Sequence, residues 1–162
     1  MSTYQTSYTV APAKGLHGQI SSEEKCNKIS RTVEDVAGIK FGVPVQRGAG
    51  DHGVVAMSAG KFLGIAVLNP AVPPVAPGST LVDGYPQNFT GAFMTMGTMY
   101  VTAGGAVADG GDVYYNTVTG RYVGAAGTNI IGPLPGTFFE TTGANGDIVE
   151  ISLRLRPVTP AA

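Results

Sequence analysis

Apolar residues along this chain alternate with polar ones in short runs, and nowhere is there a leucine-rich heptad or a long unbroken helical stretch. The final run is complete: Val149, Ile151, Leu153 and Leu155 alternate with Glu150, Ser152, Arg154 and Arg156, the period of two that turns one face of a strand to a core. Residues 62–68, Phe-Leu-Gly-Ile-Ala-Val-Leu, are apolar on both faces and predict a central strand. Ile39, Phe41, Val43 and Val45 alternate with Lys40, Gly42, Pro44 and Gln46, a half-buried strand that Pro44 confines to an edge or a bulge. Residues 23–37 fit two periods. Ser21 and Glu24 have capping-box spacing and Cys26, Ile29, Val33 and Val36 share a helix face, yet Ile29, Arg31 and Val33 also alternate with Ser30, Thr32 and Glu34 and lead into Gly38. The alternation favours a strand.

The second half is a series of hairpin signals. Phe93 to Thr102 and Val113 to Tyr115 are strand-like, with a glycine-rich turn region at 103–112 between them. Asn116 to Gly120 forms a hairpin loop before Arg121 to Val123, and a Gly/Pro loop over 124–136 precedes the short strand at Phe138 and Phe139. Gly143 to Gly146 then turns the chain into the last strand. Residues 69–88 hold five prolines, too many missing donors for a sheet, and predict a long surface loop.

Composition agrees with this pattern. The chain has 18 Val, 16 Thr and 24 Gly against 7 Leu in 162 residues, and β-branched side chains suit a pleated surface while glycine supplies turns. The expectation is a mainly β fold: a single compact antiparallel β-sandwich or barrel-like domain over 23–156, with an extended N-terminal arm over 1–22, the Pro-rich loop over 69–88 and a C-terminal tail over 157–162. Only 13% of residues are charged, about half the usual share, and the net charge is −1. Such a surface suits burial against another protein, because interface cores are depleted in charge; it equally fits a β surface covered by uncharged Thr, Ser and Asn. No basic cluster of the kind that binds nucleic acid is present. Met1 to Val10 show no basic head followed by an apolar stretch, so neither a signal peptide nor a membrane anchor is expected, and a cytoplasm is the expected place of synthesis.

Material for chemistry is scarce. Cys26 is the single cysteine, which excludes an intrachain disulfide and a Cys-based zinc site. Asp51 and His52 in Gly48-Ala-Gly-Asp-His-Gly53 offer a base or a metal ligand, but adjacent side chains point apart on a strand and no second ligand is specified; a polar turn is the simpler reading. Asp109-Gly-Gly-Asp112 lacks the regularly spaced oxygen ligands of a calcium loop and reads as a turn before a strand. Met94, Met96 and Met99 with Phe93 and Tyr100 form a soft apolar cluster, by default core packing. No catalytic residues, metal ligands or cofactors are expected.

The ordered series of segments resembles the structural cement, or head decoration, proteins of tailed bacteriophages. The resemblance is carried by a Tyr-Gln-Thr arm followed by Pro-Ala-Lys-Gly-Leu-His-Gly-Gln at 12–19, then by Ile29-Ser-Arg-Thr-Val-Glu34, Ile39-Lys-Phe-Gly42, Val45 to Gly48 and Phe62 to Val67. Tyr85, Met99-Tyr-Val101, Ala106 to Tyr115, Thr119-Gly120 and the closing strand 148–155 continue it, so that it spans 3–156. It implies a non-enzymatic protein that binds the outer surface of a phage head and bridges neighbouring copies of the major capsid protein, with a homotrimer favoured over a homodimer. The virion is then its location, with no nucleic acid or membrane as partner. Candidates for capsid or subunit contacts are Tyr4, Tyr8, Val10 and Leu16 on the arm, with Tyr85 and Phe89. An alternative is a β-fold module that recognises carbohydrate or a cell surface from a virion, for which Tyr85, Phe89, Tyr114, Tyr115 and Tyr122 would supply aromatic platforms. A third, a small β-barrel enzyme, has only Asp51 and His52 in its favour.

Overall fold

The computed structural model describes residues 14–72, 81 and 83–154, with the side chains of residues 23 and 24 left aside. Tyr4, Tyr8, Val10, much of the Pro-rich loop, Leu155 and the C-terminal tail lie outside the described residues. Within them there is no helix. Twelve strands follow in order: β1 (Ile20–Val33), β2 (Ile39–Lys40), β3 (Pro44–Arg47), β4 (Gly53–Ala56), β5 (Phe62–Ala66), β6 (Gly84–Tyr85), β7 (Thr90–Thr102), β8 (Tyr114–Asn116), β9 (Arg121–Val123), β10 (Ile130–Ile131), β11 (Thr137–Phe139) and β12 (Ile148–Leu153). Residues 23–33, which fit both periods, are strand, as the alternation favours.

The main sheet has the order β1-β4-β3-β5-β7-β12-β11, and β1 also pairs with β7. That extra pairing closes β1, β4, β3, β5 and β7 into a ring, so the fold is barrel-like, with β12 and β11 extending from β7. All pairs in the ring are antiparallel except β1 with β4. A three-stranded sheet, β10-β8-β9, and a two-stranded one, β2-β6, complete the fold.

Side-chain alternation on β5 and β7 divides the interior in two. Ile65 pairs with Met94 and Ala66 with Phe93, and successive residues of a strand point to opposite faces. Ile65 and Met94 accordingly join the larger core with Met99, Val101, Tyr122, Phe139 and Ile151. Ala66 and Phe93 join the smaller one with Val33, Ile39, Val45, Val54 and Tyr85. The two strands are a shared wall, which is why residues 62–66 read as apolar on both faces. Met94 and Met99 are fully buried, in keeping with core packing.

Several local readings change: β6 lies inside the predicted loop over 69–88, paired with β2, and β10 inside the predicted loop over 124–136, paired with β8. The predicted strand from Ile39 to Val45 is broken into β2 and β3 by a turn at Phe41 and Gly42, where Gly42 adopts φ +74°. A side chain at Gly42 would overlap the His17 ring, so both the backbone angle and the close approach demand glycine. Of the two settings predicted for Pro44, an edge or a bulge, the edge does not hold, since β4 and β5 flank β3. Pro44 is tolerated as its first residue, beside a register shift between Val45 and Gln46 in the ladder with β5.

Candidate contact surface

Acidic and imidazole side chains around the β3–β4 hairpin hold its turns. In the β3–β4 hairpin the Glu34 carboxylate accepts the N–H groups of Ala49 and Gly50 at 2.7 and 2.8 Å, and Asp35 accepts that of Ala56 at 2.6 Å. Arg31 Nη1 lies 2.9 Å from His52 Nδ1 and 3.4 Å from the Asp51 carbonyl. Asp51 and His52 thus sit in an exposed, internally braced turn. The Asp109–Asp112 segment does similar work: Gly110 N–H donates to the Phe139 carbonyl and Phe139 N–H to that of Gly111, which covers the outer side of β11. Among the described residues no group of three or more His, Cys, Asp or Glu side chains is placed to hold a metal ion.

His17 is an internal anchor. Its Nδ1 accepts the N–H of Thr102 at 2.9 Å, and its ring lies 6.1 Å from that of Tyr122. Burial pushes the imidazole down to about 4, since the charged form would lose its hydration. Tyr122 donates its hydroxyl to the Gly42 carbonyl at 2.6 Å, and burial pushes its pKa well up; Tyr115, packed edge-on against it, is pushed up to about 12. Gly18 N–H donates to the Tyr100 carbonyl and Leu68 N–H to that of Gly18. Residues 17–19 therefore tie the start of β1 to β7 and to the chain after β5.

Of the contact candidates within the described residues, Leu16 is 61% exposed, Phe89 is half-buried and Tyr85 is wholly buried. Tyr85 and Phe89 are brought together, their rings stacked at 5.7 Å and 14°, and the Tyr85 hydroxyl donates to the Val67 carbonyl at 2.7 Å. Leu16 and Phe89 are the two of these three that keep accessible side-chain surface. Tyr85, Tyr115 and Tyr122 are core residues, which leaves Phe89 and Tyr114 as the partly exposed members of the proposed aromatic platform.

Two surface features had no counterpart in the sequence reading. One is a cleft of about 680 Å³ beside the β7–β12 pair, lined by Lys25, Thr98, Glu140, Glu150 and Arg154 among others. Its acids are engaged: Glu140 meets Arg154 at 3.3 Å and accepts from the Ser152 hydroxyl, and Glu150 accepts from Ser21. The other is the outer edge of β1, where Lys25 and Lys28 stand exposed. The spacing of Lys25, Lys28 and Arg31 was visible, but only the pairing order reveals that they flank an edge.

The family model of structural cement proteins (E217 gp24/Pam3 gp6) matches residues 4–154. A chain in a structure of the capsid of Myoviridae phage XM1 superposes with a TM-score of 0.68 at 13% identity, over 94% of this chain and 98% of that one, a likeness of fold. The head fiber gp8.5 N base of bacteriophage phi29 superposes at a TM-score of 0.42 and 10% identity, over 80% of this chain and 94% of that one, too low to carry an argument. No curated protein matches this sequence.

Proposed function

This chain belongs to the phage structural cement protein family, and we propose that it binds the outer surface of a phage head and bridges neighbouring major capsid subunits. Its role is that of a capsid-associated structural protein of the virion. The observation that carries the reading is the extent of the family match, which takes in residues 4–154 of 162. The physical features support it: a surface with few charges suits burial against protein, and His52, one of the two groups that resembled catalytic ones, meets Arg31 in an exposed turn. The protein acts without catalysis, and as a homotrimer ahead of a homodimer. A molecule that touches several subunits at once gains from effective concentration, so modest single contacts suffice to clamp a shell.

A cryo-EM reconstruction of the parent particle tests this directly. The expected result is density for this fold on the outer face of the shell, in contact with at least two capsid subunits. Particles that lack the protein should lose their genome at lower temperature. Density inside the shell, or contact with one subunit alone, would overturn the bridging role.

A further inference from the structure

β1 is 14 residues long, and most of it is paired on one side only. β7 runs along one side from Ile20 to Thr32, whereas β4 reaches the other side only at Thr32 and Val33. Parity gives the direction of the unpaired groups. Thr32 donates its N–H to the His52 carbonyl at 3.0 Å, away from β7, and pairing with β7 continues without a shift from Lys28 to Thr32. Both main-chain groups of an antiparallel strand residue point to the same side, so Ser30 and Lys28 also turn their N–H and C=O outward. Among the described residues no strand covers this edge.

The side chains around the edge set the chemistry of what can join it. Lys25, Asn27, Lys28 and Ser30 are exposed, and Arg31 is half-buried beside the Asp51–His52 turn. Among the described side chains the one ion pair joins Glu140 to Arg154; Glu23 and Glu24 precede Lys25 on the strand, so the stretch from Lys25 to Arg31 is the basic part of the edge. Between Ser22 and Asn27 the register with β7 shifts, Lys25 adopts φ +45°, and a hollow of about 340 Å³ opens among Ile20, Ser21, Ser22, Cys26 and Lys28.

We infer that this edge receives an extended acidic segment of the capsid shell as an added strand. The inference rests on the cement reading above. A strand laid along β1 gains main-chain hydrogen bonds at Lys28 and Ser30, while its carboxylates meet Lys25 and Lys28. A second copy of this chain is disfavoured in the register centred on the outward groups of Lys28, which would set Lys28 against Lys28 and Lys25 against Arg31, and like charges opposite in a sheet are destabilising. Lysines on an open edge also discourage neutral strands from pairing there, so the edge selects for acid.

Hydrogen exchange on the full-length protein, free and bound to shells of the parent phage that lack it, tests this. In the free protein the amides of Lys28 and Ser30 should exchange fast and those of Ile29 and Arg31 slowly. On the shell, Lys28 and Ser30 should become protected. The double variant Lys25→Glu, Lys28→Glu should bind shells at least about tenfold more weakly, with the gap narrowing at high salt. Ser30→Pro removes an outward N–H and no bond to β7, and should weaken shell binding while the melting temperature stays near that of the wild type. Wild-type protein that decorates shells while Lys28 and Ser30 exchange as in the free state would overturn the edge assignment and spare the cement reading. Failure to bind shells at all would overturn both.

Discussion

His17 Nδ1 accepts the backbone N–H of Thr102 at 2.9 Å, a bond that only the unprotonated nitrogen can make. The imidazole is therefore a neutral tether between the segment before β1 and the end of β7. Its tautomer follows, with the proton on Nε2.

Acid should loosen this tether. The folded-state pKa of about 4 lies below the usual 6.5, so the unfolded chain binds the extra proton first and stability rises with pH across that interval. The contribution is fully present above about pH 6.5, falls as pH drops, and is gone below about pH 4. The interval between about 4 and 6.5 corresponds to on the order of 3 kcal/mol. In His17→Gln the side-chain oxygen can still accept from Thr102 but cannot titrate. Denaturant midpoints measured from pH 7 to pH 4 should fall more steeply for the wild type than for the variant, and parallel slopes would refute the role of His17.

The sequence disclosed some elements and concealed others for identifiable reasons. β12 and the C-terminal half of β7 were legible because Val149, Ile151, Val101 and Met99 keep a period of two against a single core. β2, β6 and β10 have two residues each, too few to hold a period, and exist through their partners. Ser152 shows another limit: it occupies a polar position in the alternation yet is wholly buried, because the Glu140 carboxylate accepts its hydroxyl. The burial of Tyr85 was equally hidden, since it depends on Phe41 arriving from the far side of the β2–β6 pair and on the chain folding Phe89 and Phe93 back over the ring. Ring closure through β1 and β7 joins residues some seventy positions apart, beyond any local pattern.

Burial on β12 should dominate stability. Ile151 is fully buried opposite Met99, so Ile151→Ala should cost about 2–5 kcal/mol through lost transfer energy and the cavity left behind. Val36, 84% exposed, is the control, and Val36→Ala should change stability by less than about 0.5 kcal/mol. Ile151→Asp should leave no folded protein, because a carboxylate would enter the core. Thermal melts of the three variants check the order, and a soluble, cooperatively melting Ile151→Asp protein would contradict the burial.

The hairpin between β3 and β4 depends on a side chain from outside it. Glu34 holds the N–H groups of Ala49 and Gly50, and hydrogen bonds to a charged group contribute about 1.5–3 kcal/mol when buried and less when partly solvated. Glu34→Ala should therefore destabilise the protein by about 1–2 kcal/mol and raise amide exchange at residues 49 and 50 before the rest of the barrel. Gly53→Ala should act similarly, because a Cβ there would collide with the Glu34 carboxylate. Unchanged exchange at 49 and 50 in both variants would show that the turn holds its shape without Glu34.

Two truncations should divide the N-terminal segment into a contact part and a structural part. The sequence up to Val10 carries Tyr4 and Tyr8 among polar residues with no period that would build a buried face, which suits contacts with the shell or a neighbouring copy. Residues 17–19 are different. His17 accepts from Thr102, Gly18 bonds to Tyr100 and Leu68, and the Gln19 carbonyl accepts the N–H of Tyr100. Deleting residues 2–13 should leave the melting temperature within about 2 °C of the full-length value and weaken attachment to shells. Deleting residues 2–19 removes the four hydrogen bonds to Thr102, Tyr100 and Leu68 and a half-buried ring, a loss of roughly 3–6 kcal/mol, and should lower the melting temperature by about 6–24 °C. Equal melting temperatures for the two truncations would show that residues 17–19 contribute nothing to the fold. Normal decoration by the shorter deletion would remove Tyr4, Tyr8 and Val10 from the contact surface.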